Sequence, residues 1–317
     1  LSKIPSAGFQ DNVKFRNLII NGSMDIAQRG TSVTGITGNG YHTVDRFRTS
    51  IASLGTWTMS QSTDVPSGQG FSKSLKLDCT TADASPSASD EFKIETRFEG
   101  QNLQYLKKGT ANAESLTLSF WVKSNKTGTY IAELEDNNTS RTINKSYTIN
   151  SANTWEKKTI TYDGDTRGTL NNDNALSFTI VYYINAGSDL QSGTLQTSWG
   201  SLVPANRAVG QVNLADSTAN EWYITGVQLE AGTSASDFEF LPHDVNLDRC
   251  YRYFQMIING ENNKGMGAGW YSVSGNARFH PVIKKTMRST PSLYQSTATD
   301  SYRLFSAGGG NDYINSW

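Results

Sequence analysis

The sequence predicts an all-β fold, a sandwich or barrel followed by a smaller C-terminal β unit, and three observations carry that prediction. Short segments alternate apolar and polar residues with a period of two. Clusters of Asn, Asp and Gly separate them at short intervals, as at Asp136-Asn-Asn138 and Asp163-Gly-Asp165. One α-helix is expected, over residues 247–254, with a helical turn near 103–108.

Residues 1–14 carry no period and read as an arm. Phe15-Arg-Asn-Leu-Ile-Ile20 reads as a short strand stopped by the turn dipeptide Asn21-Gly22. Thr56-Trp-Thr-Met-Ser60 and Ser72-Lys-Ser-Leu-Lys-Leu77 alternate. In residues 91–99 the alternation is strict: Phe92, Ile94 and Phe98 share one face, and Glu91, Lys93, Glu95, Arg97 and Glu99 share the other. The charged face is expected to meet solvent and to discourage edge-to-edge pairing. In residues 115–123, Leu116, Leu118, Phe120 and Val122 point one way, while Thr117, Ser119, Trp121 and Lys123 point the other. Residues 130–135, 155–162, 177–184 and 222–229 complete the series. Residues 231–237 read as a connector, and strands resume at 255–258, 268–273 and 277–283. The expected organisation is an arm (1–14), a main β domain (15–240), a linker with a short helix (241–254) and a small β domain (255–317).

Composition narrows the function classes. The 317 residues suggest one or two domains. Lys plus Arg (28) nearly balance Asp plus Glu (29), which argues against a chain held on nucleic acid by bulk charge. Aromatic residues make up 11%, too many for a disordered chain. No apolar run reaches the roughly 18 residues of a membrane-spanning helix. The cysteines, Cys79 and Cys250, are expected as buried free thiols.

Several motifs resemble one kind of protein. Phe15-Arg-Asn-Leu-Ile-Ile-Asn-Gly-Ser-Met-Asp-Ile-Ala-Gln-Arg-Gly30, with Tyr41-His-Thr-Val-Asp-Arg-Phe47 after it, resembles the opening of bacteriophage tail-fibre and virion-surface proteins. Ser-Phe-Trp-Val-Lys-Ser124, Thr154-Trp-Glu-Lys-Lys-Thr-Ile-Thr-Tyr162 and Trp222-Tyr-Ile-Thr-Gly-Val-Gln-Leu-Glu-Ala-Gly232 resemble strands of the carbohydrate-binding jelly rolls attached to glycosidases. Phe238-Glu-Phe-Leu-Pro242, Leu247-Asp-Arg-Cys-Tyr-Arg-Tyr-Phe254 and Met287-Arg-Ser-Thr-Pro291 resemble the exit from the module in the phage proteins and the β domain after it. The resemblance implies a jelly-roll sandwich in a tail or capsid-attached fibre on the virion surface. It implies a homotrimer bound to other virion proteins through the N-terminal arm and to a bacterial glycan. A purely structural decoration or adaptor is the alternative, and a polysaccharide depolymerase comes third. Related jelly rolls often hold a structural calcium near the first and last strands. Here the last strand reads Ile224-Thr-Gly-Val227 where an acidic residue is expected, leaving only Asp25 and Glu230 nearby; no cofactor is expected, with calcium as the alternative.

Catalysis finds little support. Glu133 and Glu135 stand on one strand face at a spacing of roughly 6.5 Å, which a glycosidase pair permits, but any acidic alternating strand offers as much. His42 and Asp45 come with no Gly-X-Ser-X-Gly nucleophile elbow. Asp45-Arg46 reads as a structural ion pair or strand-end hydrogen-bond network. Binding demands less: an aromatic ring for the sugar face, and carboxylates or amides for its hydroxyls. Alternation places Trp121, Tyr183, Glu133 and Glu135 opposite the core residues of their strands. If those faces share a surface they form a sugar platform, unless a loop or neighbouring subunit covers them.

Overall fold

The computed structural model describes residues 16–257, 269–271, 277–279, 282–292, 302–305 and 311–314. The chain divides into two units, Leu1–Thr286 and Met287–Trp317. The first is a jelly-roll β-sandwich of two six-stranded antiparallel sheets. Its strands are β1 (Ser32–Ile36), β2 (Arg48–Ala52), β3 (Thr56–Ser62), β4 (Ser74–Thr81), β5 (Glu91–Glu99), β6 (Leu116–Ser124), β7 (Gly128–Asp136), β8 (Arg141–Ile149), β9 (Glu156–Tyr162), β10 (Leu176–Ala186), β11 (Gly200–Ser201) and β12 (Glu221–Ala231). The first sheet runs β1-β3-β4-β12-β6-β9 and the second β11-β8-β7-β10-β5-β2. A single described α-helix follows, α1 (His243–Tyr251). C-terminal to it lie two two-stranded sheets, β13 (Gly269–Tyr271) with β14 (Ala277–Phe279), and β15 (Tyr302–Phe305) with β16 (Asn311–Ile314). Among the described residues no helix is long and apolar enough to cross a membrane.

Alternation builds the core. Leu116, Leu118, Phe120 and Val122 of β6 face Phe178, Ile180, Tyr182 and Ile184 of β10, and all are buried between the sheets. Trp57, Phe92, Tyr130, Tyr147 and Trp222 fill the space around them, with Phe120 edge-on to Tyr147 and Tyr182. Burying aromatic side chains that each remove 150–250 Å² from water is the main stabilising contribution. Cys79 and Cys250 are both buried free thiols.

The structure departs from the sequence reading in five places, one being the helix, which spans His243–Tyr251 where the sequence predicts 247–254. Residues 16–20 form no strand; they run as an irregular segment tied to β12, with the Leu18 N–H donating to the Leu229 carbonyl and Asn17 Nδ2 to the Val227 carbonyl. Residues 255–257 form no strand either. The charged face of β5 is not solvated: Lys93, Glu95 and Glu99 are buried. Glu95 is held by Arg48 and Arg97, Lys93 by Glu91, and Glu99 by Arg252. Finally β1, β2, β8 and the two-residue β11 emerge where composition is too polar or too short to signal a strand. The N-terminal arm lies outside the described residues.

The motifs that resemble phage proteins converge on one joint, where α1 meets the sandwich. Asn246 Oδ1 accepts from the Asn21 N–H, and Asn21 Nδ2 donates to the carbonyls of Ile26 and Asp45. Gln28 Nε2 donates to the Phe254 carbonyl, and the Arg29 guanidinium stacks on the Phe254 ring at 3.5 Å. Arg46 stacks on Tyr253 at 3.5 Å and does not pair with Asp45, which takes Gln28 and Arg29 instead. Arg252 grips the Glu99 carboxylate with two donors, and Tyr253 adds a third at 2.6 Å. Burial raises the Glu99 pKa, but these donors outweigh it and hold the carboxyl below its ordinary value. Asn21 adopts a positive φ of 65°, and Gly22 lies so close to β12 that a Cβ would sit 2.0 Å from the Val227 carbonyl oxygen.

Candidate functional site

The four sequence-predicted site residues do not share a surface. Trp121 is on β6, on the outer face of the first sheet; Glu133 and Glu135 on β7 and Tyr183 on β10 belong to the second. Both sets point away from the core, as alternation requires, but the sandwich places its thickness between them.

The outer face of the second sheet is covered. Residues 187–212, between β10 and β12, fold over it and bury Ile131, Val181 and Tyr183 against Leu190 and Ala208 as a second apolar cluster. From this cover Arg207 reaches down to Glu133, donating through Nε at 2.8 Å and through Nη2, and also to Glu135 at 2.7 Å. Glu133 is fully buried, and Tyr183 donates its hydroxyl to it at 3.4 Å. Desolvation raises the Glu133 pKa, and the Arg207 charge and hydrogen bonds oppose that rise. Glu133, Glu135 and Tyr183 therefore form an internal ion-pair site. The sugar platform expected from them is corrected on geometric grounds: the face they line is filled by the chain itself.

The outer face of the first sheet is covered only in part: Thr117, Ser119, Thr225 and Gln228 are buried where residues 17–23 and 236–239 bond to β12, and the face opens toward Trp121 and β9. Trp121 is half-buried there, paired with Thr225 of β12 on one side and Lys157 of β9 on the other. The indole N–H groups of Trp57, Trp155 and Trp199 donate to the Leu54 carbonyl, Asp64 and the Asp163 carbonyl respectively. Among the described residues the Trp121 N–H takes no such partner. Two residues along β6, Lys123 lies over the Tyr223 ring at 4.3 Å and the Trp155 ring at 5.6 Å, and those rings meet edge-on with centroids 6.1 Å apart. Lys123 also pairs with Asp64, whose other oxygen accepts the Trp155 N–H at 2.9 Å. Burial raises the Asp64 pKa, but Lys123 and Trp155 overcome that and hold it below its ordinary value. Glu221 is tied to Lys76 and accepts the Tyr223 hydroxyl at 2.7 Å. Tyr223 is pushed up by burial first and by Glu221 second.

Beyond Thr225 the face continues into a ring cluster. Phe71, Phe238 and Phe240 pack with centroids 4.8–5.1 Å apart. The Phe71 ring lies over Gly226, whose φ of +61° belongs to a bulge in β12. The bulge inserts one residue, so that Ile224 and Val227 both face the core while Thr225 and Gln228 both face out. On the strands themselves, Trp121 and Tyr223 stand two register positions apart, about 7 Å along the strand direction.

Sequence reasoning singled out Trp121 on this face and missed Tyr223, Trp155 and Lys157. Alternation in Trp222-Tyr223 was the available signal for Tyr223. Trp155 stands outside β9 and is brought in by the fold alone. The residues proposed for calcium do not fit such an ion: the Asp25 carboxylate accepts from Ser72, and Glu230 accepts from Gln228 and Ser236. Among the described residues no group of three or more metal-ligating side chains forms. His42 and Asp45 do not pair: the His42 ring meets the Thr49 hydroxyl at 2.9 Å, and Asp45 is taken by Gln28 and Arg29.

No protein-family model matches the chain, and neither does any curated protein. Solved structures with a similar arrangement include the enzymatically active domain of tailspike protein 4 from bacteriophage CBA120, at 14% identity and a TM-score of 0.35, covering 68% of this chain and 22% of that one. A CBM 22 xylan-binding domain aligns at 14% identity and a TM-score of 0.32, covering 65% and 98%. The module TmCBM61, in complex with β-1,4-galactotriose, aligns at 11% identity and a TM-score of 0.35, covering 68% and 99%.

Proposed function

We propose that this chain is a non-catalytic module of a bacteriophage fibre that attaches to the bacterial surface by binding a glycan along the outer face of its first sheet. One observation carries the reading: Trp121 is a half-buried ring whose N–H meets no partner among the described residues, two register positions from the Lys123–Trp155 contact on one side and next to the Gly226 bulge under Phe71 on the other. Rings offer a flat apolar surface to the C–H face of a sugar, and the Trp121 N–H offers a donor to its hydroxyls. Binding rather than hydrolysis is supported by Glu133, the acid a glycosidase pair would need, which is held by Arg207 out of reach of solvent. Placement on a virion, trimeric assembly and anchorage through residues 1–14 rest on the motif resemblance.

The test is binding of the purified chain to host cells and to an array of bacterial surface glycans, with Trp121→Ala beside the parent. Loss of a central aromatic anchor is expected to weaken binding roughly 30-fold, with circular dichroism unchanged. A parent that binds no glycan, or a folded variant that binds as the parent does, overturns the reading and leaves a structural decoration in its place.

A further inference from the structure

We infer that the glycan is acidic and that Lys157 recognises its carboxylate; this rests on the glycan reading above. Lys157 is the register partner of Trp121 across β6 and β9, so both side chains rise from the same face at neighbouring positions. Cβ atoms of directly opposed residues stand about 5 Å apart. Lys157 is exposed and takes part in no ion pair among the described residues. The lysines nearest it on this face are already matched. Lys123 is matched by Asp64, and Lys76 by Glu221. Glu156, next to Lys157 in sequence, points to the opposite side and is taken by Lys158, Asn150 and Ser151. No carboxylate is a register neighbour of Trp121: its cross-strand partners are Thr225 and Lys157, and its neighbours two residues away on β6 are Ser119 and Lys123.

A sugar stacked on Trp121 therefore meets an unmatched ammonium at one edge. Neutral sugars need acceptors and donors in balance, and a lone cation adds little for them. A uronate or other carboxylated sugar supplies the missing partner and gains a charge-assisted hydrogen bond. The chain as a whole has a net charge of −1, so attraction to a polyanion comes from this local placement and not from bulk charge.

The experiment compares acidic with neutral polysaccharides on the array, then titrates the tightest acidic ligand and its carboxyl-reduced form against the parent, Lys157→Gln and Lys157→Arg. The tightest ligands are expected to be acidic, with affinity falling as salt rises. Lys157→Gln is expected to weaken the acidic ligand about fivefold, the scale of an exposed ion pair, and to leave the reduced form unchanged; Lys157→Arg retains most of the affinity. If the tightest ligands are neutral, or if Lys157→Gln weakens both forms alike, the acidic assignment falls while the glycan reading stands. If the parent binds no glycan, or Trp121→Ala leaves binding unchanged, the glycan reading falls and this inference with it.

Discussion

Removing Arg207 isolates the central ion pair of the second sheet. Its side chain is 12% exposed and bonds Glu133, whose side chain has no exposure, through two donors, with Glu135 as a further acceptor. Arg207→Met keeps much of the apolar stem and deletes the charge. It leaves a carboxylate under the cover of residues 187–212 with two neutral donors, the Asn144 amide at 2.6 Å and the Tyr183 hydroxyl at 3.4 Å. Breaking a buried pair from one side costs about 3–5 kcal/mol, because the remaining charge is left unmatched. In a sandwich of this size each kcal/mol moves Tm by roughly 2–4 °C, so the expected fall is roughly 6–20 °C. Urea unfolding followed by circular dichroism gives the free energy, and a thermal scan gives Tm. The companion variant, Arg207→Met with Glu133→Leu, removes both charges and is expected to recover most of the loss. Glycan binding on the opposite sheet is expected to stay at the parent level in both. A single variant that loses less than about 1 kcal/mol, or a double variant no better than the single, would refute the claim that Glu133 is held by charge compensation.

Two further predictions come from separate parts of the sandwich. Gly22→Ala is expected to destabilise by several kcal/mol, more than the few tenths usual for a surface change, because the added carbon would meet the Val227 carbonyl backbone at 2.0 Å and no flexible side chain can yield; equilibrium denaturation measures it, and a near-neutral result contradicts the close approach. Glu156 has its pKa lowered from 4.5 to about 2: burial opposes the shift, while Lys158 and the Ser151 and Asn150 donors drive it. A carboxyl depressed in the folded state adds stability that is present above its unfolded value and is lost as pH falls toward the folded one. The parent should therefore lose stability between about pH 4.5 and pH 2, and Glu156→Gln should flatten that slope without removing it; melting curves across this range decide, and an unchanged slope counts against the assignment.

Much of the fold was legible because burial imposes a local rule. In β5, β6, β10 and β12 the alternation in the sequence placed strands close to their observed positions, and it assigned Trp121 and Glu133 to outward faces correctly. The same rule misjudged the charges of β5, since alternation says which side a residue faces and nothing about what covers that side. The motif-bearing segments were legible as a set, but their purpose was not. Asn21, Gln28, Arg46, Arg252 and Tyr253 are far apart in sequence, and only folding shows that they fasten α1 to the sandwich.

By itself, then, the sequence determined the class of fold, the core faces of its longer strands and one ring of the candidate site. These follow from periodicity, which each segment carries within itself. The tertiary structure decided which faces are shared. Trp121 and Glu133 both point outward from strands only a few residues apart in the chain, yet β6 and β7 lie in different sheets. The 187–212 segment then filled one outer face and left Trp121 on the other with Tyr223, Trp155 and Lys157. Sheet membership and loop cover depend on contacts between residues distant in sequence. No local pattern encodes those, because their energy exists only once the sandwich has closed.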